Sequence, residues 1–267
     1  VTPRMWTVII GENGTGKTSI LQAIAMAASG GLNVNSLVGE VASLRDKRHP
    51  DESMTVEARF LLNKEHAHER AYPLSQRGAD PLAATSRPLG DLTIQADVKL
   101  DPKSTNLVAT SAYGSGEHDS GAPLAEARSQ NLPLWFVAGY GISRFLPRDT
   151  ELRPTLERPS IDRLRPLFRP ENLLATTWAN VLPEPKARTF SKTLKDALFG
   201  DHLLIPKFRD LELRGQGGAK NTRSLQESHR FEQELPGGPL RLPASWLSHG
   251  YQSTLAWIAD LIGYILY

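Results

Sequence analysis

The sequence predicts an α/β fold, and three observations predict it. The apolar run 6–10 leads into Gly11-Glu12-Asn13-Gly14-Thr15-Gly16-Lys17-Thr18, after which Ile20, Leu21, Ile24 and Ala28 recur at helical spacing. Residues 54–61, 92–100 and 106–112 alternate apolar and polar side chains or are rich in β-formers, which reads as an antiparallel sheet. Residues 171–182 and 188–199 carry helical patterns, in a stretch of different character from what precedes it.

In chain order, residues 6–10 read as a short hydrophobic strand, 11–18 as a Gly-rich loop and 18–28 as a helix that Gly30 and Gly31 stop. Residues 33–50 are polar with mixed charge and suit a loop or short helix. Between the strands of the antiparallel region, 76–90 and 114–122 are loops rich in small residues and breakers. Residues 132–137 form a buried-strand candidate leading into Gly139-Tyr140-Gly141-Ile142-Ser143-Arg144. From 144 to 169 there are seven arginines against four acidic residues, and a mostly helical insertion is expected. Residues 203–213 are strand-like again, 215–224 form a turn, and 231–242 pair back with 203–213 as a hairpin. The expected organisation is therefore 1–143 as a core with an antiparallel β region, 144–202 as the helical insertion and 203–267 as a return to the core.

Composition removes several function classes. The chain has 267 residues, 40% of them hydrophobic, enough for a substantial core. It contains no cysteine, which excludes disulfides and thiolate-ligated metal centres and suits a cytoplasmic location. No apolar run reaches the roughly 18 to 20 residues that cross a bilayer, so no membrane partner is expected. Lys plus Arg total 31 against 29 for Asp plus Glu, so any basic surface must be local and DNA stays open as a partner.

The loop at residues 11–18 has the spacing G-x-x-x-x-G-K-T. Glycines there let successive backbone N–H groups curl round phosphates without side-chain clashes, and the following helix offers its positive end. Lys17 is placed to reach the β- and γ-phosphates, and the Thr18 hydroxyl to ligate the Mg2+ that bridges them. The binding set expected from the loop is Gly11, Glu12, Asn13, Gly14, Thr15, Gly16, Lys17, Thr18 and Ser19, with ATP and Mg2+ as cofactors. The loop alone does not separate an ATPase from a GTPase or a kinase.

A second motif, Leu247-Ser248-His249-Gly250-Tyr251-Gln252-Ser253, precedes an apolar helical pattern of Leu255, Ile258, Leu261, Ile262 and Ile265. Leu-Ser-x-Gly-x-Gln resembles the signature motif of ABC-type ATPases. The loop spelling Gly-Glu-Asn-Gly-x-Gly-Lys-Thr-Ser resembles the RecF, SMC and OLD-like branch of P-loop ATPases. Together with Gly139-Tyr140-Gly141-x-x-Arg144, the two motifs resemble ATPases of bacterial anti-phage systems such as the Septu type.

This resemblance implies a P-loop NTPase of ABC-head type, in which Ser248, Gly250 and Gln252 approach the γ-phosphate of a nucleotide bound on a second copy. A Ser hydroxyl and a Gly N–H at a helix N-terminus suit that contact, although the same residues also serve as an ordinary helix cap. It further implies a homodimer, ATP hydrolysis, and a regulated nuclease or other effector subunit in nucleic-acid processing or phage defence. The resemblance covers the motif regions, about a third of the chain. Four apolar residues followed by Asp-Glu, the Walker B element, occur nowhere in the 267 residues. In the family that element follows the signature helix, so the chain reads as a fragment and the catalytic residue is unassigned.

Weaker features leave alternatives open. Arg144 follows a strand candidate and suits a phosphate or subunit contact, or a plain surface turn. Gln130 precedes rather than follows that strand, so the family's Q-loop is not placed. The arginine-rich stretch fits a solvated face or a phosphate track. His66 and His68 alternate as on a strand with no third ligand in sight. Competing functions are a P-loop kinase or GTPase and a scaffold that keeps nucleotide without hydrolysing it.

Overall fold

The computed structural model describes residues 7–31, 33–61, 93–113, 124, 136–142, 144, 146, 156, 158–170, 173–200, 204–205, 208–213 and 230–267. The chain divides into two units, Val1–Gly139 with Arg158–Phe168, and Tyr140–Glu157 with Arg169–Tyr267. Helices and antiparallel sheets together give the chain its α/β character.

In the first unit, helix α1 (Lys17–Ser29) ends where Gly30 takes φ 79°, a conformation that glycine adopts without steric cost. A short α2 (Val34–Leu37) and a 3-10 turn (Val41–Leu44) follow. The sheet is β1 (Met54–Leu61), β2 (Thr93–Leu100) and β3 (Val108–Tyr113), antiparallel throughout with β2 central. Its register runs from Met54 opposite Leu100 to Leu61 opposite Thr93, and from Ile94 opposite Tyr113 to Lys99 opposite Val108. The period of two puts Ile94, Ala96, Val98 and Leu100 on one face, where they bury against Met26, Ala27, Val34 and Val38. Asn35 fastens α2 to the chain before β3 by bonding both the carbonyl and the N–H of Leu107, at 2.8 and 2.7 Å.

The first unit also holds α3 (Pro159–Asp162) and a 3-10 turn (Arg165–Leu167), whose Ile161, Leu164 and Leu167 pack on Ala25 and Leu37. The arginine-rich stretch is here partly internal. Arg163 is buried, donates from Nε to the Val137 carbonyl at 3.0 Å and stacks 4.3 Å over the Phe136 ring. Arg165 pairs with Asp162 at 2.9 Å. These two arginines hold the fold together and offer no track for phosphates.

Two strand expectations fail. Residues 7–10 are irregular, with Val8 and Ile10 77% and 89% exposed, because no described segment supplies the ladder that would hold them as a strand. Residues 136–137 are irregular and only partly buried; 6 and 132–135 lie outside the described residues. So do the loops 76–90 and 114–122, the turn 215–224, Gln130, His66 and His68.

In the second unit, α4 (Trp178–Val181), α5 (Glu184–Phe199) and α6 (His249–Leu266) accompany a sheet of β4 (Phe208–Glu212), β5 (Arg230–Leu235) and β6 (Gly238–Pro243) in that order. The expected helix 171–182 is realised only as a 3-10 turn (Ala175–Thr177) followed by α4. Pro183 forces Leu182 into an extended conformation at ψ 144°, which ends α4, and α5 restarts with prolines at its N-terminus.

Residues 231–242, expected to pair back on 203–213, form two strands: β5 pairs antiparallel with β4, and the chain turns at Gly238, φ 110°, into β6. Phe231 on β5 is fully buried between Phe208 and Phe199, at ring separations of 5.7 and 6.2 Å, both edge-to-face. Phe231→Ala is expected to cost about 3 to 5 kcal/mol of stability, read by urea denaturation; a loss below about 1 kcal/mol would contradict this packing. On the open face, Glu232 sits between Arg209 at 2.7 Å and Arg241 at 3.3 Å, and the bond from Arg209 holds its carboxyl below the usual carboxylate range.

Candidate functional site

The predicted site residues fall into two groups, one in each unit. In the first, the loop 11–18 turns on two glycines with left-handed backbones, Gly14 at φ 85° and Gly16 at φ 83°. Gly16 is the N-cap of α1 and has no side chain to bond the first N–H groups of the helix, so those donors stay directed out of its N-terminus. Thr15 tightens the turn by donating from Oγ1 to the Glu12 carbonyl at 2.9 Å. A side chain at Gly11 would strike that hydroxyl: an added Cβ lies 2.8 Å from Thr15 Oγ1.

Lys17 emerges from the first turn of α1 and folds back over the loop, its Nζ donating to the carbonyls of Gly11, at 2.7 Å, and Glu12. Its charge therefore lies against the backbone cradle rather than out in solvent. Asn13, Thr18 and Ser19 are exposed. A backbone concavity capped by an ammonium, at the positive end of a 13-residue helix, fits the polyphosphate of a nucleotide.

The second group opens α6. Ser248 is its N-cap, with Oγ accepting from the Tyr251 N–H at 3.5 Å, and Ser248, His249 and Gly250 are all exposed. Nothing lies within 4 Å of a Cβ added at Gly250, and its N–H, in the first turn, has no partner within the helix. Gln252 turns inward, its amide donating to the carbonyls of Ser245 at 3.2 Å and Leu247 at 2.7 Å. It braces the turn that presents Ser248. Farther along α6, Leu255 and Ile258 are buried as the pattern predicts, while Ile265 is exposed.

Tyr140 of the Gly-Tyr-Gly turn does not face solvent: its hydroxyl donates to Asp260 Oδ2 at 3.1 Å. Arg144 is half-buried, and its Nε bonds nothing among the described residues. Sequence reasoning passed over Asp260 and its partner Trp178. The signal was there, since Asp260 is the one carboxylate in the otherwise uncharged or apolar helix His249–Leu266.

Among the described residues, no helix is long and apolar enough to cross a membrane. Neither the curated proteins nor the solved structures gave a significant match to the chain. A family model described as an AAA domain does match, over residues 6–96. Residues 6–96 thus carry an AAA-family P-loop ATPase domain of the kind found in SMC- and RecF-like proteins, which implies a nucleotide-binding, ATPase-type module.

Proposed function

We propose that this chain is an ABC-type head: it binds Mg-ATP on the 11–18 loop, and two copies close face to face so that Ser248 and Gly250 of each complete the nucleotide site of the other. The observation that carries the reading is the loop itself, with left-handed Gly14 and Gly16 curling the backbone at the start of α1 and Lys17 laid over it. Lys17 would exchange its carbonyl contacts for the β- and γ-phosphate oxygens, and Thr18 would hold the Mg2+. When bound, that cation neutralises charge between the β- and γ-phosphates. Ser248 and Gly250 add donors at a helix N-terminus, the chemistry a γ-phosphate needs. The cycle of closure and opening would gate an effector, a nuclease or similar subunit acting on nucleic acid in phage defence or repair.

The test is solution mass with and without Mg-ATP, alongside nucleotide binding. The parent is expected to double in mass with Mg-ATP. Ser248→Arg should bind nucleotide within about threefold of the parent yet stay monomeric, because a long cation at the cap blocks the facing surface. Full binding with no mass change in the parent would sink the sandwich. Competition by GTP as strong as by ATP would favour a GTPase instead.

A further inference from the structure

The carboxylate of Asp260 is buried in the middle of α6, twelve residues beyond Ser248. Its Oδ1 accepts from the Ala175 N–H and from Trp178 Nε1, both at 3.3 Å, and its Oδ2 accepts from the Tyr140 hydroxyl at 3.1 Å. One side chain thus ties α6 to three places: the Gly-Tyr-Gly turn, the 3-10 turn and α4. Ala175 has φ 45°, an uncommon conformation for a residue with a Cβ, and it directs its N–H at this oxygen. We infer that Asp260 is a positioning residue for the Ser248–Gln252 turn, and that gaining or losing a proton on its carboxyl changes how firmly α6 holds that turn. This goes beyond the sandwich reading and rests on it only for what the turn then does.

The surroundings explain why a proton matters. Every donor to the carboxylate is neutral, and the Tyr140 bond at 3.1 Å is longer than the 2.5 to 2.7 Å usual for a hydroxyl on a carboxylate. The 3-10 turn Ala175–Thr177 and α4 contain no charged residue. From α5 the buried side chains are Phe190, Leu194 and Leu198. Its charged groups are engaged elsewhere or exposed: Lys186 on the Tyr267 carbonyl, Arg188 on Glu184, Lys195 on Asp210, with Lys192 and Asp196 exposed. On α6 itself the titratable neighbours are Tyr264, His249, Tyr251 and the terminal Tyr267, and His249 lies three turns away.

Desolvation accordingly pushes the carboxyl up to about 6 from 3.8. Because the folded value is raised, the folded state binds the proton more tightly. The packing of α6 is therefore firmest below pH about 3.8, loosens steadily as the pH rises above that, and has lost this contribution once the pH passes about 6.

The experiment is amide hydrogen exchange of the full chain from pH 5 to 7.5, read as protection factors for residues 252–256, with Asp260→Asn as the variant. The amide keeps an oxygen for Ala175 and Trp178, lets Tyr140 accept rather than donate, and removes the charge. Parent protection should rise about tenfold between pH 7.5 and 5, while Asp260→Asn stays flat within about twofold at the parent's acid level. His249 is common to both proteins and drops out of the comparison. Identical pH profiles in parent and variant would overturn the proposal.

Should Asp260→Asn fail to melt cooperatively, Tyr140→Phe decides. It removes one donor from the ionised form and must move the midpoint of the parent's profile to higher pH; an unmoved midpoint counts against the proposal. ATP-dependent mass measured over the same range separates the two readings. A parent that never associates discards the sandwich while the exchange profiles still decide the role of Asp260.

Discussion

Lys17→Ala is expected to weaken Mg-ATP binding at least a hundredfold, measured by calorimetric titration, while the melting temperature stays within about 2 °C. The side chain bonds only within its own loop, to the carbonyls of Gly11 and Glu12 and to the Thr15 hydroxyl, so its removal opens no cavity. Against phosphate, an ammonium makes charge-assisted bonds worth about 1.5 to 3 kcal/mol each, and every 1.4 kcal/mol is a factor of ten in affinity. Two such bonds give the hundredfold. A drop of less than tenfold would mean that the loop does not hold the polyphosphate in the way described. Backbone donors alone would then carry the affinity.

The second large effect concerns stability. Gly263 lies on the buried face of α6 directly under the Trp178 indole, and any Cβ there would overlap Cδ1, Cγ and Cδ2 of the ring. Trp178 cannot move aside easily, since it is fully buried, packs edge-on against Tyr264 at 4.9 Å and donates to Asp260. Gly263→Val is therefore expected to cost about 3 kcal/mol, the upper end of what overpacking usually costs, and urea denaturation reads it directly. Gly250→Ala makes the contrast. The same helix, with nothing within 4 Å of the new methyl group, should be unchanged or stabilised by up to about 1 kcal/mol. Equal losses in the two variants would show that helix propensity, not the indole, sets the requirement at position 263.

What could be read in the sequence follows from how local each signal is. Strands β1, β2 and β3 were legible to within two residues because alternation is written in consecutive residues and the sheet has one buried face. The Gly14 and Gly16 turn was legible because only glycine takes those angles freely. The run 7–10 misled because an apolar, β-branched stretch states a preference for burial but not the partner that would provide it. The helix expected at 171–182 misled because its periodicity does not show the break ahead of α4, where Ala175 takes φ 45° and residues 175–177 form a 3-10 turn. The link between Tyr140 and Asp260 spans 120 positions, and no local pattern encodes a pair so far apart.

Gln252 carries a consequence for motion. Its amide ties the carbonyls of Ser245 and Leu247 to the first turn of α6, so the residues before Ser248 cannot swing while the helix stays still. Any displacement of Ser248 must be a displacement of the whole rod. At 1.5 Å per residue the 18 residues of α6 span about 27 Å, and a tilt of about 5° about the far end moves Ser248 by about 2 Å. That is the difference between a hydrogen bond made and one missed. Such a tilt would pivot on the packing of Trp178 against Tyr264 and Gly263, toward the end of α6 opposite Ser248.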